Sequence, residues 1–188
     1  MRLIVVMLLL AALAALSAVD WKTVELPGST EEERDPLVSA EAVVSENQLH
    51  PLVEEAKEEL LRRAEEQNIR LVITEGYRSP DRQDELYARG RSADGDIVTN
   101  AAAWESYHNY GLAIDYALET DDGLVWDIET DFNGSGEPDW LEVAAIAKDI
   151  GFEWGGDWDG FSDYPHLQMT FGLSINELQR ARETNSDE

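Results

Sequence analysis

The chain has 188 residues, 40 acidic against 14 basic side chains, a formal net charge of −26 and no cysteine. That length can hold one domain with a real core. The acidity works against nucleic-acid phosphates and anionic membranes as partners. Without thiols there is no disulfide, no thiolate metal ligand and no cysteine nucleophile.

Residues 1–18 begin with Arg2 and then run uncharged through Leu, Val and Ala, with small residues at Ala12, Ala14, Ala15 and Ser17. This is the pattern of a secretory signal peptide, or of a weak membrane anchor if it stays uncut. Removing it takes away Arg2 and no acid, so the remainder is more acidic still. A solvated acidic surface suited to high salt is expected, on a monomer that meets a membrane only through residues 1–18. Residues 19–45 hold Pro27-Gly28, Glu31-Glu32-Glu33 and Pro36 and little apolar pattern, which reads as a flexible acidic arm. Residues 46–188 are left as the folded domain. No P-loop or Gly-x-Gly-x-x-Gly occurs, so nucleotide chemistry has no support.

Residues 51–67 form an amphipathic helix, with Leu52, Val53, Ala56, Leu60 and Ala64 on one face and Pro51 in its first turn. Ile69 to Thr74 is a strand, with Leu71-Val72-Ile73 as a buried run. Ser79 caps a helix from Pro80 to about Arg89 that Gly90 ends. Residues 91–105 are loop. Leu112–Leu118 and Leu124–Ile128 are strands, Trp140–Ile150 is a helix stopped by Gly151, His166–Thr170 is the last strand, and residues 174–185 are a short helix. Irregular alternation of strand and helix predicts an α+β fold, a small, mainly antiparallel sheet flanked by helices.

Two of the three histidines sit in short stretches with a carboxylate at a fixed offset: His108 with Asp115, and His166 with Asp163. A catalytic zinc takes three protein ligands and keeps one position for water. His108, Asp115 and His166 fill those three places, and Asp163 is left to move protons. Gly111 gives the backbone freedom that lets His108 and Asp115 reach one ion. His50 has no such partner and reads as a structural histidine before its helix.

A second pattern lies between the two stretches. Counted from Asp131, oxygen ligands fall at positions 1, 3, 5, 9 and 12, namely Asp131, Asn133, Ser135, Asp139 and Glu142, with Gly136 at 6 and the Glu137 carbonyl at 7. This is the calcium loop of an EF-hand, with a strand-like entering segment in place of the first helix. Bound there, calcium would order the link between the halves of the zinc site.

The stretches Ser106-Tyr107-His108-Asn109-Tyr110-Gly111-Leu112-Ala113-Ile114-Asp115 and Asp163-Tyr164-Pro165-His166 resemble the zinc D-Ala-D-Ala carboxypeptidases and L-alanyl-D-glutamate endopeptidases of bacterial cell walls. Gly76-Tyr77-Arg78-Ser79 with Gln83 resembles that family's substrate-binding segment. Trp154-Gly155-Gly156-Asp157-Trp158 resembles its endopeptidase branch, which includes phage endolysins. The likeness runs from about His50 to Phe171. It implies a scaffold shared with the Hedgehog signalling domain, zinc on His108, Asp115 and His166, and Asp163 as general base. It also implies Arg78 as holder of a substrate carboxylate or oxyanion, with Gln83 and Ser106 in support. The substrate implied is a peptidoglycan stem peptide cut between L-Ala and D-Glu. The alternatives are a D,D-carboxypeptidase, which Asp163 and the Trp-Gly-Gly segment oppose, and a metal-stabilised binding module without catalysis.

Overall fold

The computed structural model describes residues 38–44 and 47–186. The proposed export segment, residues 1–18, lies outside the described residues, as do residues 19–37 of the arm. The last part of that arm is not loose. Ser39 caps a one-turn helix α1, Ala40–Val43, and its hydroxyl accepts from the Ala42 amide. Val38 and Val43 are buried in the core, and α1 packs on the last helix, α5, Ile175–Ser186. The acids around Val38 and Val43 hid two apolar anchors.

Helix α2, Pro51–Glu66, begins where expected. His50 is its cap, Nδ1 accepting from the Leu52 amide at 3.3 Å, and its ring lies 5.3 Å from that of Phe171. Val53, Ala56, Leu60 and Ala64 are buried, whereas Leu52 stands at the surface. Strand β1 is Leu71–Glu75, and its Leu71-Val72-Ile73 run is half-buried rather than buried because β1 forms an edge of the sheet. Helix α3, Pro80–Ala88, is capped by the Ser79 hydroxyl.

The central strand is β2, Ala113–Thr120. It pairs antiparallel with β1, with the short β3, Gly123–Val125, and with β5, His166–Gln168. A two-residue strand β4, Glu153–Trp154, pairs with β5 and completes a five-stranded antiparallel sheet. Strand β3 is shorter than expected and β4 was not anticipated, because two residues carry no readable alternation. Ile114, Tyr116 and Leu118 on β2 are fully buried, and helix α4, Asp139–Ile150, packs Trp140, Val143, Ala144 and Ala147 into the same core. Period-two alternation then turns Asp115 to the other face. There it stands in register with His166 on one side and Glu75 on the other.

Candidate metal centre and active site

His108 comes from a turn of 3₁₀-helix, Tyr107–Tyr110, which Ser106 caps through its hydroxyl and Gly111 ends at φ 67°. Gly111 is required twice over. It holds a left-handed conformation, and a Cβ there would run into the Gln48 carbonyl. The chain enters β2 directly after it, so His108 is delivered beside Asp115. His166, the first residue of β5, completes the group.

The three ligand-type atoms form an almost equilateral triangle. His108 Nε2, His166 Nδ1 and Asp115 Oδ1 are each 3.2 Å from the other two. Three ligands of a tetrahedral cation with bonds of about 2.0–2.1 Å lie about 3.3 Å apart. Protonation points the same way. His108 Nδ1 lies 2.8 Å from the Gly76 carbonyl, and His166 Nε2 lies 3.0 Å from Gln168 Oε1. Both partners only accept, so each outer nitrogen carries the ring proton and each neutral ring turns a lone pair inward. Two lone pairs and a carboxylate oxygen at van der Waals separation call for positive charge between them. Among the described residues this is the one group of three or more His, Asp or Glu side chains arranged to hold a metal ion.

When no cation lies between them, protonation of the two rings supplies the positive charge that the triangle calls for. Burial raises the Asp115 carboxyl, but hydrogen bonds and charge from His108 and His166 overcome it and hold the group far below the usual carboxylate range. Burial lowers His166, but Asp115, Gln168 and Asp163 together outweigh that and raise it. Burial is also the largest influence on Asp163, and it raises that carboxyl, with Asp115 adding to the rise and His166, His108 and Arg78 opposing it.

Asp163 reaches the site on a tight turn. Its amide donates to the Gly155 carbonyl at 3.0 Å, and its own carbonyl accepts from the His166 amide at 3.2 Å. A Cβ on residue 155 would stand 2.5 Å from the Asp163 carbonyl and 3.2 Å from the His166 Cβ, so only glycine lets the turn lie this close. Trp154 Nε1 donates to the Tyr164 carbonyl, and the Trp158 ring lies 5.1 Å from His166. The Trp-Gly-Gly segment thus seats Asp163 and His166 together.

Arg78 also converges on the site and lines its cleft. Its guanidinium donates to Asp115 Oδ2 at 3.2 Å and to Gln83 Oε1 at 3.0 Å, with Glu75 3.4 Å from Nε. Gln83 is fully buried and donates to the Ala101 carbonyl, so it braces Arg78 and is closed to a substrate. Ser106 serves as the cap of the His108 turn. Asn109, which sequence reasoning passed over, is buried, and it donates to the Arg78 carbonyl while accepting from the Trp104 amide. Its place inside the His108 motif was the available signal. A cleft of about 910 Å³ joins Arg78, His108, Asp115, Asp163 and His166 to the exposed aromatic rings of Trp126 and Phe161.

The loop 131–142 is arranged differently from the calcium expectation. The Asp131 carboxylate accepts from the amides of Gly134, Ser135 and Gly136, and Asp139 accepts from those of Phe132 and Asn133. Asn133 accepts from the Ser135 amide and donates to Glu142, while Ser135 exchanges hydrogen bonds with Glu137. Asp131, Asp139 and Glu142 do not draw together as a ligand group. Oxygen-bearing side chains at alternate positions also cap turns, and these side chains do so here.

Comparison with known proteins gives the lineage. Residues 99–169 match a family model described as D-alanyl-D-alanine carboxypeptidase. The peptidoglycan L-alanyl-D-glutamate endopeptidase CwlK of Bacillus subtilis (strain 168) is 57% identical over 122 residues, 64% of this chain and 73% of that protein. The L-alanyl-D-glutamate peptidase of Listeria phage A118 is 31% identical over 125 residues, 66% of this chain and 39% of that protein. The crystal structure of the Serratia marcescens L-Ala D-Glu endopeptidase ChiX covers 70% of this chain and 86% of its own, at 24% identity and a TM-score of 0.48. As the motifs implied, the chain is a peptidase and belongs to the family of D-alanyl-D-alanine carboxypeptidases and L-alanyl-D-glutamate endopeptidases.

Proposed function

We propose that this protein is a zinc-dependent endopeptidase that hydrolyses the L-alanyl–D-glutamate bond of peptidoglycan stem peptides. The observation that carries the metal chemistry is the triangle of His108, Asp115 and His166, with both outer ring nitrogens committed to acceptors. The choice of bond is supported by the Bacillus and phage relatives, both named for it, and by Asp163 with the Trp-Gly-Gly segment.

His108 Nε2, His166 Nδ1 and Asp115 Oδ1 would hold the zinc, which would supply a Lewis acid and lower the pKa of a water to about 7. Asp163 takes the proton of the attacking water and returns it to the leaving amine. Its seat in the turn before His166 supports that role. Arg78 neutralises the outer oxygen of Asp115, which leaves Oδ1 to the metal, and brings a positive charge to the cleft wall. The 131–142 loop takes no part in this reading, and no calcium is invoked.

The test is reconstitution. Protein stripped of metal should lose muropeptide hydrolysis and regain it with one equivalent of zinc per chain, while Asp163→Asn should bind zinc and fail to turn over. Full activity in metal-free protein would sink the proposal. A D-alanyl-D-alanine carboxypeptidase is the second reading, favoured by the description of the matching family model. It predicts loss of a terminal alanine instead of an internal cut. The proposal includes export through residues 1–18, and mature protein that retains Met1 would contradict cleavage there.

A further inference from the structure

The two histidine ligands are held in unlike ways. The Nδ1–H of His108 meets a backbone carbonyl, that of Gly76, which no substitution at residue 76 removes. The outer nitrogen of His166 meets a side-chain amide, Gln168 Oε1 at 3.0 Å. An amide offers an acceptor on one end and two donors on the other. If Gln168 turned its NH₂ toward His166, the ring would have to accept at Nε2 and carry its proton on Nδ1, the atom that faces Asp115 and His108. A metal would then meet an N–H.

Something must decide the amide's orientation, and Glu153 does. It is the direct cross-strand partner of Gln168 on β4. Its Oε2 accepts from Gln168 Nε2 at 2.8 Å, and its Oε1 accepts from the Thr170 hydroxyl at 2.8 Å. An ionised carboxylate only accepts. It therefore captures the NH₂ end of Gln168 and leaves the carbonyl end for His166. Gln168 is buried and Glu153 is at the surface, so the chain of hydrogen bonds runs from solvent to the ligand ring.

We infer that Glu153 and Gln168 form a positioning pair that fixes His166 as the Nε2–H tautomer and keeps its Nδ1 lone pair turned to the metal position. The inference rests on the zinc reading of the site. Neither residue touches the reacting atoms. Their contribution is to ligand orientation and basicity, the usual role of groups that hydrogen-bond to a metal-bound imidazole.

The experiment uses the full-length protein, with zinc alone as the probe. Zinc affinity is measured by competition with a chromophoric chelator. The ring tautomers of metal-free protein, with ¹⁵N-labelled histidine, are read by NMR above the imidazole titration range, where only three rings appear. Gln168→Met should lower zinc affinity roughly 10- to 100-fold and move His166 away from a single Nε2–H tautomer, leaving His108 unchanged. Glu153→Ala, at an exposed position that tolerates truncation, should shift the tautomer in the same direction if Gln168→Met folds poorly. The exchange Glu153→Gln with Gln168→Glu restores a donor to a carboxylate and an acceptor to His166, so it should recover most of the lost affinity. Wild-type affinity and an unmoved His166 tautomer in Gln168→Met and Glu153→Ala would overturn the inference while leaving the zinc reading standing. Wild-type protein that binds no zinc would overturn both.

Discussion

Asp163 and His166 lie three residues apart on one turn, yet the surroundings give them different tasks. The His166 ring is ordered from behind by Gln168, whose carbonyl end takes the outer N–H and leaves the lone pair of the inner nitrogen to a metal. The Asp163 side chain joins no ligand group and lies in a partly buried place that raises its carboxyl. A base must be ionised to act. Activity should therefore fall as pH drops through the Asp163 titration, which burial raises and a divalent cation at the triangle would lower. Undiminished kcat/KM on acidification would contradict the assignment. Asp163→Asn should lower kcat by roughly 10²- to 10⁴-fold with zinc retained, as metal analysis of the purified variant would report. Arg78→Ala should weaken zinc binding as well as turnover, because it frees Asp115 Oδ2. Unchanged zinc affinity in that variant would return Arg78 to the substrate-holding role inferred from sequence.

The elements that carry these residues explain which parts of the site could be read in advance. His108, Gly111 and Asp115 fall within one turn and one strand, so their spacing alone brings them together. The cap at Ser79 and the helix stop at Gly151 are equally local. Glu153 and Gln168 were opaque because they meet across two strands, 15 residues apart in sequence. Gln168 did leave a trace. It stands two residues after a ligand on a strand, hence on the same face. In the 131–142 loop the oxygens accept from backbone amides two to five residues on, contacts as local as the pattern itself. Gly155 belongs to this scale too. Gly155→Ala pushes a methyl group into the Asp163–His166 turn, and by overpacking it should cost about 1–3 kcal/mol of stability and reduce kcat. Wild-type melting and turnover in that variant would show that the turn has slack.

Across the whole molecule the dominant physical fact is charge. At −26 the chain repels itself in the compact state, and the surface ion pairs among the described residues are too exposed to offset this. Salt screens that repulsion, so the melting temperature should rise between low and physiological ionic strength and continue upward. A flat response would remove the idea of adaptation to high salt. The same acidity surrounds a cleft whose one fixed cation, among its described lining residues, is Arg78. A divalent metal at the His108–Asp115–His166 triangle would then be the main source of positive charge for a substrate carbonyl. Mass analysis of products from a defined muropeptide, digested by the zinc-loaded protein, tests this directly. Scission between L-Ala and D-Glu, abolished by Asp163→Asn, is the expected result. Release of terminal D-Ala alone, or an intact muropeptide, would contradict it.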